Sequence, residues 1–266
     1  MSLSRLPAVF LGHGSPMAAL EDTPITRAWR ALGERLPRPK AILAISAHWE
    51  TKGVLITAAE HPRTIHDFYG FPSALYAQQY PAPGDPALAK RIESLLAPYA
   101  RADLDSWGLD HGTWSVLLHM YPQADVPVVQ LSMDIRLAPE GHYRIGQALA
   151  PLRDEGVLIL GAGNIVHNLR MYDRRPGAAP YAWAVRFNET VKAKILAGDH
   201  AALIDYAHLD PDVALAFPEP EHYQPLLYVL GAQGPDDRVE WLTDVVSSSL
   251  SMTSVLVGAR PEPMAA

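Results

Sequence analysis

Three histidines of the 266-residue chain each follow a short apolar run. The stretches are Ala8-Val9-Phe10-Leu11-Gly12-His13-Gly14-Ser15-Pro16, Ala41-Ile42-Leu43-Ala44-Ile45-Ser46-Ala47-His48-Trp49 and Val157-Leu158-Ile159-Leu160-Gly161-Ala162-Gly163-Asn164-Ile165-Val166-His167. Such short, unalternating runs read as strands covered on both faces, with each histidine just past the strand in a turn or loop. Ligands of open α/β sheets gather outside the carboxyl ends of the strands. Three imidazoles delivered to that edge are the raw material of a metal site. A fourth, His222, lies in the Pro-rich stretch Pro218-Glu219-Pro220-Glu221-His222-Tyr223-Gln224-Pro225, ahead of an expected helix. Three or four imidazoles, with or without a carboxylate, suit Fe(II) or Zn(II).

Two further stretches carry chemistry. In Asp110-His111-Gly112-Thr113-Trp114-Ser115 an acid precedes His-Gly at the start of an expected helix, where a neutral imidazole beside a metal can act as acid, base or hydrogen-bond donor. The plain alternative is a helix cap. In Thr64-Ile65-His66-Asp67-Phe68-Tyr69-Gly70-Phe71-Pro72, His66 and Asp67 can line a pocket with aromatic walls; the plain alternative is a packed loop. His61, His119, His142, His200 and His208 read as surface or helix-face residues and are given no role.

Other chemistries are excluded or disfavoured. The chain has no cysteine, so thiolate metal sites, disulfides and a Cys nucleophile are absent. There is no H-E-x-x-H and no G-x-S-x-G, and Ser15 is followed by Pro16, which removes an oxyanion-hole amide. Gly161 and Gly163 resemble the start of a dinucleotide loop, but Val166 stands where the third glycine belongs. With 22 Lys and Arg against 29 Asp and Glu, the net charge of −7 carries no nucleic-acid footprint. No apolar run reaches a membrane span of about 18 residues. Met1 to Pro7 leads straight into the first apolar run, so a cytoplasmic location is expected.

The elements that must position these residues alternate. Strands are expected over residues 7–12, 40–47, 53–58, 126–132, 156–161, 237–246 and 252–257. Helices are expected from Thr23-Pro24 to about Leu36, from Asp85-Pro86 to about Tyr99, and over 138–154, 180–197, 199–207 and 222–231. The alternation implies one α/β domain over 1–266, with a mostly parallel central sheet, helices on both faces and the metal site at the strand C-terminal edge. The last two strands read as a hairpin extending the sheet antiparallel, and residues 259–266 as a fraying tail. Proline is abundant (24 residues) and concentrates in 62–86 and 211–225, long loops of the kind that carry function.

Six motifs in order resemble the DOPA-type extradiol ring-cleavage dioxygenases of the class III (LigB-like) superfamily. They are Gly12-His13-Gly14-Ser15-Pro16, Ser46-Ala47-His48-Trp49, Asp67-Phe68-Tyr69-Gly70-Phe71-Pro72, Tyr80-Pro81-Ala82-Pro83-Gly84, Asp110-His111-Gly112-Thr113-Trp114 and Gly163-Asn164-Ile165-Val166-His167-Asn168-Leu169. The resemblance implies a mononuclear metal held by His13, His48 and His222, the last where the wider superfamily places a carboxylate. It implies His167 as base, or as a fourth ligand when substrate is absent, and His111 as an active-site acid or base. Fe(II) is then the expected catalytic ion, with Zn(II) occupying the same site in purified protein. A catechol and dioxygen are the expected partners, the chain being a monomer or small homo-oligomer without nucleic acid or membrane. Ser15, His66, Tyr69, Phe71, Trp114, Arg170 and Tyr223 are candidates for substrate contact. A neutral imidazole is needed as ligand and as base, so activity is expected to fall below about pH 6.5, the unperturbed histidine value. The competing readings are a zinc-dependent hydrolase, which would not need dioxygen, a non-catalytic metal-binding relative, and a chelatase, which would leave five of the six motifs unexplained.

Overall fold

A computed structural model describes residues 5–175 and 177–258. The tail expected to fray lies outside these residues. The strands are β1 (Ala8–Gly12), β2 (Ala41–Thr51), β3 (Val54–Thr57), β4 (Ala100–Asp103), β5 (Val128–Asp134), β6 (Val157–Gly163), β7 (Arg238–Thr243), β8 (Val246–Ser247), β9 (Leu250–Ser251) and β10 (Ser254–Gly258). The helices are α1 (Pro24–Arg35), α2 (Ser73–Tyr76), α3 (Pro86–Leu95), α4 (His111–Met120), α5 (Pro139–Leu149), α6 (Ala182–Leu196), α7 (His200–Ile204), α8 (Val213–Ala216) and α9 (Gln224–Gly231). No described helix is long and apolar enough to cross a membrane.

Eight strands form one sheet in the order β4-β3-β5-β2-β6-β1-β10-β7. Its centre, β5-β2-β6-β1, is parallel as expected. The whole is mixed, because β3 runs against β5 and β10 against both β1 and β7. The expected terminal hairpin is therefore present, with β10 on the inside. Strand β4 has no counterpart in the expectations. Its Ala-Arg-Ala-Asp sequence is an edge strand with little apolar signal, and the periodicity of α3 ran on towards it.

Side chains of the central strands alternate between two cores. Ala8 and Phe10 of β1, Leu43 and Ile45 of β2 and Ile159 of β6 pack with α3, α5, α6 and α9. Val9, Leu11, Ile42, Ala44, Leu158 and Leu160 pack with Trp29 of α1 and Trp114 of α4. Covering both faces is what makes these strands read as unbroken apolar runs. Each fully buried Leu, Ile, Val or Phe contributes roughly 1.5–3 kcal/mol.

The strand expected to end at Ala47 continues to Thr51. Pairing with β5 jumps from Ile45↔Leu131 to Glu50↔Met133, so Ser46 to Trp49 bulge opposite Ser132. His48 thus stands inside a strand rather than past its end, at a bulge that re-aims its side chain. The expected helix over 138–154 is α5 followed by a 3₁₀ turn, Ala150–Arg153.

That turn carries a fully buried arginine. The Arg153 guanidinium donates to the carbonyls of Leu6 and Ala232, both at 2.7 Å, and to Asp237, with Nη2–Oδ1 at 3.0 Å. It ties together the approach to β1, the end of α9 and the approach to β7. Burial would raise the Asp237 carboxyl, but Arg153 overrides it and holds the group below the usual carboxylate range. Replacing Asp237 by Asn strands a buried charge, and the expected loss is about 3–5 kcal/mol in urea unfolding. A loss under about 1 kcal/mol would contradict the clamp.

Candidate metal centre

The ends of β1 and β6 and the loop before α9 are sewn together by backbone. The His13 amide donates to the Gly163 carbonyl at 3.3 Å, and the Asn164 amide to the His222 carbonyl at 2.8 Å. A Cβ on Gly163 would lie 2.1 Å from that same His222 oxygen, and one on Gly161 would lie 2.7 Å from the Pro225 oxygen. The glycine pair that resembles a phosphate loop is therefore what lets the His222 segment lie against β6. His167 is held beyond β6 by its amide, which donates to the Ala216 carbonyl at 2.7 Å, and by an isolated bridge to Leu250.

Five imidazoles meet at this edge. The Nε2 atoms of His13 and His48 are 3.0 Å apart, and donor nitrogens of His13, His48 and His222 all lie within 4.8 Å of one another. His167 stacks on His222 with ring centroids 3.4 Å apart, and His111 packs on His48 at 4.0 Å. The three-histidine cluster that could hold a metal ion is therefore completed by a residue from the Pro-rich loop.

The environment suits metal ligands. Burial, reinforced by neighbouring imidazoles, holds His13 and His222 well below the ordinary histidine value and lowers His48 to about 3 and His167 to about 4. The buried Nδ1 of His13 has no hydrogen-bond partner. His48 turns Nδ1 towards Asp67, at 3.4 Å, which leaves the Nε2 lone pair facing His13. The three imidazoles are thus neutral, convergent and able to donate lone pairs, as Fe(II) or Zn(II) requires.

Two carboxylates stand behind the rings. Asp67 accepts from the backbone N–H of His111 and contacts its Nδ1, both at 2.9 Å. Glu221 lies 2.9 Å from Nδ1 of His222 and 4.0 Å from Nδ1 of His167. Burial, with Glu50 and Glu219 nearby, raises the Glu221 carboxyl to about 7, so the His222 contact is a hydrogen bond rather than an ion pair. Carboxylates in this position fix the tautomer and orientation of ligating histidines.

A third carboxylate, Asp110, is fully buried and caps α4. It accepts from Ser46 Oγ at 2.7 Å, from Trp107 Nε1 at 3.2 Å and from Gln130 Nε2. Ser46 Oγ in turn accepts from the His48 amide at 3.2 Å. One network therefore fixes both the β2 bulge and the helix start that carries His111. Gly112 makes this approach feasible, since a Cβ there would lie 2.6 Å from Ser46 Oγ.

The candidates for substrate contact divide. Tyr223 is spent in the core, its ring against Tyr206 and Phe217 and its hydroxyl donating to the Leu203 carbonyl at 3.1 Å, so it is no pocket wall. Trp114 is buried, its Nε1 donating to the Ile65 carbonyl, and it reaches the site edge only through His66 and Phe68. His66 bonds the Gln78 carbonyl at 2.9 Å. Tyr69 is 92% exposed, and Arg170 is exposed without an ion pair among the described residues. Ser15 caps the 3₁₀ turn after His13, accepting from the Met17 amide. Phe68 touches His111 directly, at 5.7 Å between centroids, with Phe71 packed behind it. Of the histidines given no role, His119 and His142 are buried rather than superficial, bonded to the Ala18 carbonyl and the Tyr228 hydroxyl. The sequence places Asp67 only as a pocket-lining neighbour of His66, because nothing local couples it to a histidine 44 residues away; Glu221 reads only as an acid beside His222.

The profile of a family described as the catalytic LigB subunit of aromatic ring-opening dioxygenase matches residues 7–257. The chain is 50% identical over 263 residues to a 4,5-DOPA dioxygenase extradiol of Escherichia coli K12, covering 97% of both chains. It is 42% identical over 241 residues to a protein of the same description from Beta vulgaris, covering 87% of this chain and 88% of that one. A crystal structure of an uncharacterized protein from Escherichia coli K12 superposes with a TM-score of 0.84 at 45% identity, over 96% of this chain and 100% of that one.

Burial moves the acid limit expected from an ordinary histidine. An imidazole with a lowered pKa stays neutral, and able to ligate, as pH falls through 6.5. Protein loaded with Zn(II) and dialysed across a pH series is expected to release half its metal well below pH 6.5. Half-release at or above that value would contradict the buried, neutral site.

Proposed function

The chain belongs to the LigB family of aromatic ring-opening dioxygenases and is an extradiol-type ring-cleavage enzyme with a histidine-rich metal site; from that premise we propose that it opens, with dioxygen, the ring of a catechol carrying a DOPA-like side chain. The product is a ring-opened semialdehyde acid holding both oxygen atoms. The description of the relatives supports cleavage of the 4,5 bond. The observation that carries the reading is the convergence of His13, His48 and His222 within 4.8 Å, with two further imidazoles packed on them. We read residues 1–266 as one catalytic domain.

His13, His48 and His222 would hold the metal, with His167 as a fourth ligand when substrate is absent. Bound Fe(II) would supply chelation of the two catechol oxygens and a path for electron density from the ring to dioxygen. Zn(II) fits the same donors and binds more strongly in the usual order, but has no redox chemistry. Zinc is therefore the expected occupant of purified protein and Fe(II) the working ion.

The protein's own part is proton handling and exclusion of water. His167, neutral because burial lowers it to about 4, takes the proton from a catechol hydroxyl at its ring nitrogen. His111, backed by Asp67 and packed on His48, takes the other catechol proton and returns it as the ring opens. Phe68, Phe71 and Tyr76 form an apolar wall beside His111.

Anaerobic loading with Fe(II), addition of a catechol panel including DOPA, and admission of air is expected to give a yellow product with matching dioxygen uptake. Absence of both with every catechol would overturn the assignment, and turnover without dioxygen would favour zinc hydrolysis. His13→Ala and His48→Ala are expected to abolish metal binding. His167→Ala is expected to keep most of the metal and lose turnover by about 10²–10⁴-fold, the usual contribution of a general acid or base. Complete metal loss in His167→Ala would make it a required ligand instead.

A further inference from the structure

Asp67 stands where one carboxylate reaches a metal-holding histidine and a proton-handling one together. Its Oδ1 accepts the backbone N–H of His111 at 2.9 Å, the first amide of α4 and one that no helix carbonyl can satisfy. Its Oδ2 lies 2.9 Å from Nδ1 of His111 and 3.4 Å from Nδ1 of His48. The side chain is only 13% exposed. Its loop is zipped to the segment before α4, with Ile65 N to Leu109 O at 2.7 Å and Leu109 N to Arg63 O at 2.9 Å. Trp114 Nε1 adds a bond to the Ile65 carbonyl at 2.8 Å. The carboxylate is thus held by both chain segments and cannot follow a ring that turns.

An ionised carboxylate only accepts hydrogen bonds. Both imidazoles that face it must therefore carry their proton on Nδ1. For His48 this leaves Nε2, the atom opposite His13, as a bare lone pair. For a neutral His111 ring it leaves Nε2 as the atom that can take a proton and later return it.

We propose that Asp67 is a positioning residue that sets the Nδ1–H tautomer of His111 and His48 together, and so decides which nitrogen each presents to the metal and the substrate. The consequence for turnover rests on the dioxygenase reading above; the tautomers do not. His48, Asp67 and His111 also have ligand atoms within 4.8 Å of one another, so a second cation among them is the competing use of the same groups.

Asp67→Asn separates these uses. The amide keeps the size of the side chain and still accepts from the His111 backbone, but it presents N–H where Nδ1–H must be received. Long-range ¹H–¹⁵N spectra of the Zn(II)-loaded protein are expected to show His111 and His48 protonated on Nδ1 in the wild type, and His111 moved to Nε2–H in Asp67→Asn. Metal affinity is expected to fall 10–100-fold, as for other carboxylates behind a ligating histidine. With Fe(II) and a catechol, kcat is expected to fall about 10²–10⁴-fold while KM changes little, because proton transfer and not substrate binding is lost. The inference is overturned by a wild-type His111 protonated on Nε2, by an unchanged tautomer in Asp67→Asn, or by two metal ions per wild-type chain. The wild-type spectrum decides even if the variant does not fold. A wild type inert towards every catechol removes the proposed reaction, and the tautomer and metal affinity then still decide the role of Asp67.

Discussion

The site depends on desolvation. A charged imidazole at His13, His48, His167 or His222 would sit among other imidazoles and away from water, a cost that at His48 outweighs even the Asp67 carboxylate beside it. Burial therefore forces these rings to be neutral, and neutrality is what a ligand and a base both need. The same burial raises Glu221 to about 7, so the group behind His222 supports it by hydrogen bonding with less than a full charge at neutral pH. Asp67 is the carboxylate that stays ionised, and it stands where two Nδ1–H groups can meet it.

Keeping imidazoles this close and dry demands a rigid scaffold, and the fold supplies it from several directions. The parallel centre of the sheet delivers His13 past the end of β1 and His167 past the end of β6. The bulge in β2 turns His48 into the same space without ending the strand. Gly163 and Gly112 remove the Cβ atoms that would hold off the His222 loop and the α4 start. Asp110 joins Ser46 to α4, so the bulge and the helix cannot shift independently. Far from the site, at the other end of β1, Arg153 locks the approaches to the sheet.

What the sequence discloses follows from how local each signal is. The apolar runs of β1, β2, β5 and β6 are legible because both faces of a central strand are buried, and the helix starts at Thr23 and Asp85 because their caps are side chains next to the helix. Edge strand β4 is not legible, because Ala-Arg-Ala-Asp carries little apolar pattern and its pairing with β3 is made across more than forty residues. The bulge at His48 is equally silent, since it is a property of register against β5. Tyr223 misled because sequence adjacency to His222 says nothing of direction: neighbouring side chains diverge, and its ring enters the core. Asp67 and Glu221 are legible as acids near histidines, but their pairing is a tertiary fact.

On the proposed reading, three imidazoles from the end of β1, the β2 bulge and the Pro-rich loop hold the metal while His111 and His167 stay free for protons once substrate is bound. A crystal structure of the Fe(II)-loaded protein with a catechol bound under anaerobic conditions tests it most directly. One metal ion is expected, at about 2.1 Å from a ring nitrogen of each of His13, His48 and His222, the length of a metal–imidazole bond. His111 and His167 should lie at hydrogen-bonding distance from the catechol oxygens or the vacant side of the ion. A metal bound through His111 and Asp67, or one lacking His222, would contradict it.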